Sequence, residues 1–348
     1  MKISHNGKTI QTEIYKEISQ EEYENLKKQY YEKPPFEEVK RQMIGIANGQ
    51  TTCNKITNYY VKDLMAKVKI YYSKWSIEEL LNCKELVEVF VGKIYNNDNV
   101  FPKNEPLIKN FETILRIGSK GYATKPANFP IETVQDILNR YNINNNWYDY
   151  SCGWGDRLLG ALYKNCNYYG TDPNYMLVDR LKQMAKDYQQ IMYLHNVVDI
   201  RPIGSEEFVE EWVGKMGLAF SSPPYFALED YKIGKQSYNE NVTYEQWKNG
   251  YLKQTMLNIH KYLIDNGYFI LNINNYDKYM LVEDCIELAE QNGFKFIGNH
   301  ILTNIQRINS NSELNDNSEK ILVFMKKGHE KEIVYLEHEN DTQLSLFD

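Results

Sequence analysis

The sequence predicts an α/β protein built on a doubly wound sheet, preceded by a mainly helical N-terminal region. Two observations carry this. Seven short apolar or aromatic runs, at 146–150, 166–171, 191–198, 216–221, 267–273, 294–302 and 320–326, alternate with helix-like stretches such as 175–189 and 246–264. Before residue 116 helical spacing prevails, interrupted at Pro34-Pro35 and between Pro102 and Pro106. The expected organisation is a helical domain over 1–115, a mixed-sheet domain over 116–327 and a tail over 328–348.

In the helical part, Ser19 with Glu22 and Ser76 with Glu79 have the spacing of capping boxes, which satisfy the free backbone N–H groups of a helix start. After Ser76, Ile77, Leu80, Leu81, Leu86, Val87, Phe90 and Val91 supply an apolar face. Between them, Tyr59 to Trp75 mixes lysines with tyrosines, as a nucleic-acid contact or a solvated helix face would.

The 348 residues, 42% hydrophobic, suffice for a large core and a smaller one. Five widely spaced cysteines without a CxxC pair argue against a disulfide framework or zinc knuckle and for a reducing, cytoplasmic setting. No apolar run approaches a membrane span of about 20 residues, and the N-terminus lacks the order of a signal peptide. The net charge of −7 disfavours a nucleic-acid partner, but residues 310–348 hold nine acidic against four basic side chains, so the preceding chain is close to neutral. A local basic groove is compatible with that balance.

In doubly wound sheets ligands bind at the carboxyl ends of the strands, where the winding reverses. The first run leads into Asp149, Ser151, Cys152, Gly153 and Gly155, a turn whose glycines allow close backbone approach to a ligand. About twenty residues on, Asp172 can accept both hydroxyls of a ribose, and the third run leads into Asp199. Three carboxylates at successive strand ends point to a nucleoside.

The fourth run leads into Ser222-Pro223-Pro224-Tyr225. This tetrapeptide resembles the SPPY motif of amino-methylating DNA methyltransferases, which act on N4 of cytosine or N6 of adenine. The resemblance spans about 116–326. DYSCGWG is similar to that family's S-adenosylmethionine loop, and YATKPANFPIETVQDIL at 122–138 to its KP-containing cofactor segment. It implies a Rossmann-like methyltransferase fold with S-adenosyl-L-methionine as cofactor. Lys125, Asp149, Ser151, Cys152, Gly153 and Gly155 would surround the methionine end, Asp172 the ribose and Asp199 the adenine. Ser222, Pro223, Pro224 and Tyr225 would form the catalytic segment.

The chemistry requires these groups because an exocyclic base amine is a poor nucleophile. Its lone pair is conjugated into the ring. The Ser222 hydroxyl and the Pro223 carbonyl, accepting its two N–H bonds, would hold the nitrogen toward tetrahedral geometry. The prolines stiffen this backbone and Tyr225 would stack on a base flipped from the duplex. No metal or covalent intermediate is required. In the family that this motif resembles, serine in the first position is more common in N4-cytosine enzymes, so the resemblance implies N4-cytosine, with N6-adenine as the alternative; RNA or protein glutamine methylation and a non-catalytic clamp- or DNA-binding role are further readings.

Only about seventy residues separate the cofactor loop from SPPY. Sequence recognition on double-stranded DNA is therefore expected from the N-terminal part, a recognition subunit or a second protomer. The tail ends in Gln343-Leu344-Ser345-Leu346-Phe347, which resembles the peptide by which bacterial replication and repair proteins dock on the sliding clamp. It implies a bacterial or phage setting, with Leu344, Leu346 and Phe347 as anchors and Gln343 setting register.

Overall fold

The N-terminal region opens with a hairpin, β1 (Lys2–His5) against β2 (Lys8–Gln11), closed by Asn6 and Gly7 with φ of 48° and 72°. Both central residues of such a two-residue turn need positive φ, which Asn-Gly supplies. Helices follow: α1 (Gln20–Tyr31), α2 (Phe36–Ala47), α3 (Asn54–Tyr60), α4 (Lys62–Met65), α5 (Ile77–Leu81), α6 (Lys84–Tyr95) and α7 (Leu107–Ile117), with a two-residue strand β3 (Lys69–Ile70) between α4 and α5. The computed structural model describes residues 1–97, 99–117, 121–232, 235–237, 243–300 and 320–328.

Both expected capping boxes form. Ser19 starts α1 and Ser76 starts α5, each hydroxyl accepting the N–H three residues on while that glutamate closes back. The apolar face expected after Ser76 is divided between α5 and α6, and all seven of its named residues are buried. The Tyr59–Trp75 stretch is mixed: Tyr60 and Trp75 are buried, Tyr71 and Tyr72 exposed.

After α8 (Ile131–Tyr141) the chain enters the sheet with β4 (Asn146–Asp149), α9 (Asp156–Tyr163), β5 (Asn167–Thr171), α10 (Tyr175–Met192), β6 (Val198–Arg201) and β7 (Met216–Ser221). The short strand β8 (Glu229–Asp230), a helical stretch of α11 (Tyr244–Trp247), a π-helical turn at Lys248–Leu252 and α12 (Lys253–Tyr262), then β9 (Leu263–Ile273), α13 (Leu281–Gln291), β10 (Phe294–Asn299) and β11 (Lys320–Lys326) complete it. The seven-stranded sheet has the order β10-β11-β9-β7-β4-β5-β6; β9, β7, β4, β5 and β6 run parallel and β11 pairs antiparallel with β9 and β10. This is the doubly wound, Rossmann-like mixed sheet expected from the sequence. β4 leads outward to β5 and β6, β7 begins the other half, and the switch point lies between β4 and β7. Every residue of β7 is buried, as a central parallel strand covered on both faces requires.

One expected strand is displaced. The apolar run at 191–198 belongs to the end of α10 and a turn, and β6 starts only at Val198. Tyr193, with φ of 53°, ends the helix in a left-handed conformation.

Buried clusters do not divide at residue 115. Val39, Met43, Ile46, Tyr60 and Leu64 join one cluster with Leu158, Leu181 and the sheet residues Trp147 and Phe220. The hairpin, α1 and α5–α7 form another around Trp75, Phe90 and Phe111. All five cysteines are buried and free. No helix among the described residues is long and apolar enough to cross a membrane.

α9 packs on α8 through Gly160, where an added Cβ would lie 2.4 Å from Val134 Cγ1. A Gly160→Ala change therefore loses about 1–3 kcal/mol by overpacking, against a helix-propensity gain of at most about 1 kcal/mol. Urea unfolding reads the difference; a variant as stable as the parent would contradict this packing.

Candidate active site

The loop after β4 and the loop after β7 lie side by side because β4 and β7 are neighbours in the sheet. A buried ion pair fixes them. Arg157, in the first turn of α9, directs Nε to Asp149 Oδ2 at 2.9 Å, and both side chains are almost wholly buried. Its Nη2 donates to the Ser151 carbonyl and, at 3.2 Å, to Ser221 Oγ at the end of β7. Ser221 Oγ donates to the same Ser151 carbonyl at 3.1 Å, and Tyr168 OH donates to Asp149 Oδ2 at 2.8 Å. Burial works against the Arg157 charge, yet Asp149 outweighs it and holds the guanidinium above its ordinary value.

A cavity opens at these strand ends, with Ser151, Gly153, Asp172, Ser222 and Pro224 in its wall. Asp172 follows β5 and precedes α10; its Oδ1 accepts the Asn174 N–H at 3.0 Å. Burial pushes its carboxyl up to about 7, partly relieved by the backbone N–H groups of Asn174 and Gly153. Trp154, Leu177, Tyr231 and Tyr251 add apolar and aromatic wall. An acceptor carboxylate, an open backbone turn and aromatic walls fit a nucleoside bearing a polar chain.

A second pocket, of about 220 Å³, shares Gly153, Trp154, Ser222, Pro224, Glu229 and Tyr231 with the first. Asn128, Phe129, Asp156, Pro223 and Tyr225 complete this side. Thus Ser222-Pro223-Pro224-Tyr225 stands at the junction of two adjoining spaces. Asn272, at the end of β9, donates from Nδ2 to Ser222 Oγ at 3.2 Å and to Tyr225 OH at 3.4 Å, while Tyr225 OH donates to the Asn272 carbonyl at 3.3 Å. With a donor already on Oγ, the hydroxyl retains a further lone pair for a ligand N–H.

Other expected residues act indirectly or elsewhere. Asp149 is fully buried against Arg157 and Tyr168 and lines neither pocket. Cys152 donates its backbone N–H to the Thr171 carbonyl at 3.1 Å and touches only the second pocket. Gly155, with φ of 94°, starts α9 where a Cβ would lie 2.9 Å from Leu181 Cδ2. Asp199 lies within β6, held by Arg201 Nε at 2.7 Å and Trp212 Nε1 at 3.1 Å, and is absent from the cavity wall. Because β6 ends at Arg201, Gly204, Ser205 and Glu206 are the residues that reach the cavity. Lys125 is not brought there either; its side chain faces a separate cleft beside α3 and α7. Gln343, Leu344, Leu346 and Phe347 lie outside the described residues.

Sequence reasoning missed Arg157, Ser205, Glu206 and Asn272. Asn272 had a legible signal, since it is the polar residue next to the end of the 267–273 run, at a strand's carboxyl end like Ser221.

An Arg157→Met substitution strands the Asp149 carboxylate in the interior and costs about 3–5 kcal/mol of stability. Chemical denaturation measures it; a loss below about 1 kcal/mol would show that the pair is not the organising contact.

Residues 216–345 match a family model described as DNA methylase, a match covering less than half of the chain. Among curated proteins, none matches. Similar solved structures include magnesium protoporphyrin IX methyltransferase from Synechocystis with bound SAM (14% identity, 57% of this chain, 79% of that chain, TM-score 0.38). An S-adenosylmethionine-dependent methyltransferase from Clostridium acetobutylicum gives 12% identity, 58% and 94% coverage and a TM-score of 0.39. A putative rRNA-methylase from Clostridium thermocellum gives 14% identity, 58% and 99% coverage and a TM-score of 0.39. At these values the fold assignment rests on the strand order itself.

Proposed function

We propose that this protein is an S-adenosylmethionine-dependent DNA amino-methyltransferase, with N4 of cytosine as the preferred target and N6 of adenine as the alternative. The observation that carries the reading is the position of Ser222 and Pro224 in the wall of both pockets. A donor bound in one can thereby face an acceptor bound in the other. The match of residues 216–345 to the DNA methylase model supports the substrate class.

When bound, S-adenosylmethionine supplies an electrophilic methyl group carried on a sulfonium. In the first pocket Asp172 would accept the ribose hydroxyls, the Ser151–Gly153 backbone would border the methionine end, and the wall from Gly204 to Glu206 would border the base. In the second, Ser222 Oγ and the Pro223 carbonyl accept the two N–H groups of the target amine, aiming the nitrogen lone pair at the junction. Asn272 holds the Ser222 hydroxyl in that orientation. Tyr225, anchored through its hydroxyl to β9, offers its ring to the base, which must leave the duplex at a cost of about a few kcal/mol. The Gln343–Phe347 segment is proposed to tether the enzyme to a sliding clamp, which raises its local concentration on DNA.

Incubation with unmodified duplex DNA and S-adenosylmethionine, followed by mass spectrometry of the nucleosides, is expected to yield N4-methylcytosine; N6-methyladenine moves the target to the alternative base. Neither product, with cofactor binding intact, transfers the reading to RNA, to protein glutamine or to a non-catalytic role. Ser222→Ala should lower the rate by about 10²-fold or more while cofactor affinity stays within about twofold. Unchanged turnover would sink the mechanism.

Asp172 sets a pH dependence. In the empty protein its carboxyl is raised to about 7, so it is largely protonated below that pH, whereas ribose hydroxyls bind the carboxylate. Affinity for S-adenosylhomocysteine, measured by calorimetry, should rise as pH passes upward through about 7 and then level. The raised value also means that the empty fold loses stability as pH climbs from the ordinary carboxylate range toward 7. Asp172→Asn should abolish both trends.

A further inference from the structure

The cleft that receives Lys125 lies between α1, α3, α4 and α7 and measures about 810 Å³. Several of its wall charges are paired: Lys55 with Glu38 at 2.6 Å and Lys109 with Glu105 at 2.9 Å, while Lys33 lies over the Tyr59 ring. Deeper in, the balance fails. Lys62 is only 6% exposed and pairs with Glu112, which together with Asp156 also acts on Lys125. Burial, reinforced by the neighbouring Lys62, depresses the Lys125 ammonium below its ordinary value. Among the described residues the Lys125 Nζ donates to a neutral group, Asn58 Oδ1 at 3.5 Å. Arg116, in the last turn of α7, lines the same wall with no carboxylate partner among the described residues. Three cations thus line this part of the cleft with Glu112 as the carboxylate on its wall, while Asp156, which also acts on Lys125, lies on the side of the second pocket; the buried Tyr30 hydroxyl, whose ring lies under Lys62, has no hydrogen-bond partner among the described residues. An anion with several acceptor oxygens is the ligand that such a set lacks.

Its place identifies the anion. α3 forms the partition between this cleft and the second pocket: Thr57 Oγ1 accepts from Asn128 Nδ2 at 3.1 Å on the pocket side, and the next residue, Asn58, meets Lys125 on the cleft side. Lys125 and Asn128 are three residues apart on one non-helical segment, at most about 10 Å when extended. A nucleotide whose base occupies the second pocket carries its phosphates at a comparable remove. We propose that Lys62, Lys125 and Arg116 form a phosphate-binding site for the nucleic-acid backbone flanking the target base. This rests on the DNA reading above and goes beyond it by giving a protein of net negative charge a built cationic contact.

The test uses the full chain, fluorescently labelled duplex DNA and anisotropy titrations over a series of salt concentrations, with Lys125→Gln and Arg116→Gln. Arg116 is exposed, so its variant folds even if Lys125→Gln is destabilised. Each change is expected to weaken DNA binding about three- to tenfold and to reduce the salt slope by about one unit, with affinity for S-adenosylhomocysteine unchanged. DNA binding unaltered in both variants overturns the site, even if the parent methylates DNA. Loss of cofactor affinity in Lys125→Gln without loss of DNA affinity returns that lysine to the cofactor and likewise overturns it. Binding of inorganic phosphate that the variants abolish, while DNA affinity is unmoved, makes this a free-anion site and rejects the backbone. A parent protein that neither binds nor methylates DNA removes the DNA reading, and this inference with it.

Discussion

The buried pair of Asp149 and Arg157 is the contact on which the site depends. Isolated charges in so dry a place would be costly, and the pair is tolerable only because its remaining valences are filled. Tyr168 from β5 supplies one hydrogen bond to the carboxylate, while the guanidinium reaches the Ser151 carbonyl after β4 and the Ser221 hydroxyl of β7. Three parallel strands are thereby locked in relative register at their carboxyl ends. Tyr150 extends the lock by donating to the carbonyls of Ser221 and Ile270, at 3.3 and 2.8 Å. A switch point opens the crevice, and these polar contacts decide its width.

On that frame the segment after β7 is held under constraint. Two prolines limit its backbone, Asn272 ties Ser222 and Tyr225 to β9, and Phe226 adopts φ of 50°. A bulky residue rarely takes such a conformation, and strain of this kind persists only when its surroundings over-determine it. Here the ring of Phe226 is enclosed by Tyr244, Trp247 and Tyr279. Aromatic packing behind the motif stabilises a backbone that places its polar atoms at the junction in front.

Legibility followed length and chemistry. The carboxyl ends of β4, β5 and β7 could be found because each apolar run stops at a Gly-, Asp- or Pro-containing turn. β6 could not, because Ile191 and Met192 at the end of α10 are followed by Leu194, Val197 and Val198 without a glycine to mark the helix end. A short apolar run does not by itself distinguish helix from strand. That displacement moved the expected base-side acid to Asp199, whereas the strand delivers Ser205 and Glu206. The Asn6-Gly7 hairpin departs from the mainly helical reading of residues 1–115. Asp149 and Arg157 show a different limit: a carboxylate at a strand end looks the same in sequence whether it meets a ligand or an internal arginine.

The N-terminal region is therefore part of the site's construction. β3 pairs with β8 through Lys69 with Asp230 and Ile70 with Glu229, and the next residue, Tyr71, donates its N–H to the Leu228 carbonyl at 2.7 Å. Glu229 and Tyr231 line both pockets, so this small sheet sets the wall that they share. On the opposite side, Cys53 Sγ and Asn128 Nδ2 converge on Asp156 Oδ1 at 3.0 and 2.6 Å, joining the start of α3 to the start of α9. The burial that raises the Asp156 carboxyl is partly relieved by these donors. Residues before 116 thus brace, through β3, Tyr71 and Cys53, the two walls that flank the SPPY segment, while the lining residues themselves come from 127 onward. A sheet domain excised at that boundary would keep its strands and pocket-lining residues and lose the β3 pairing and the Cys53 contact that hold those walls in place.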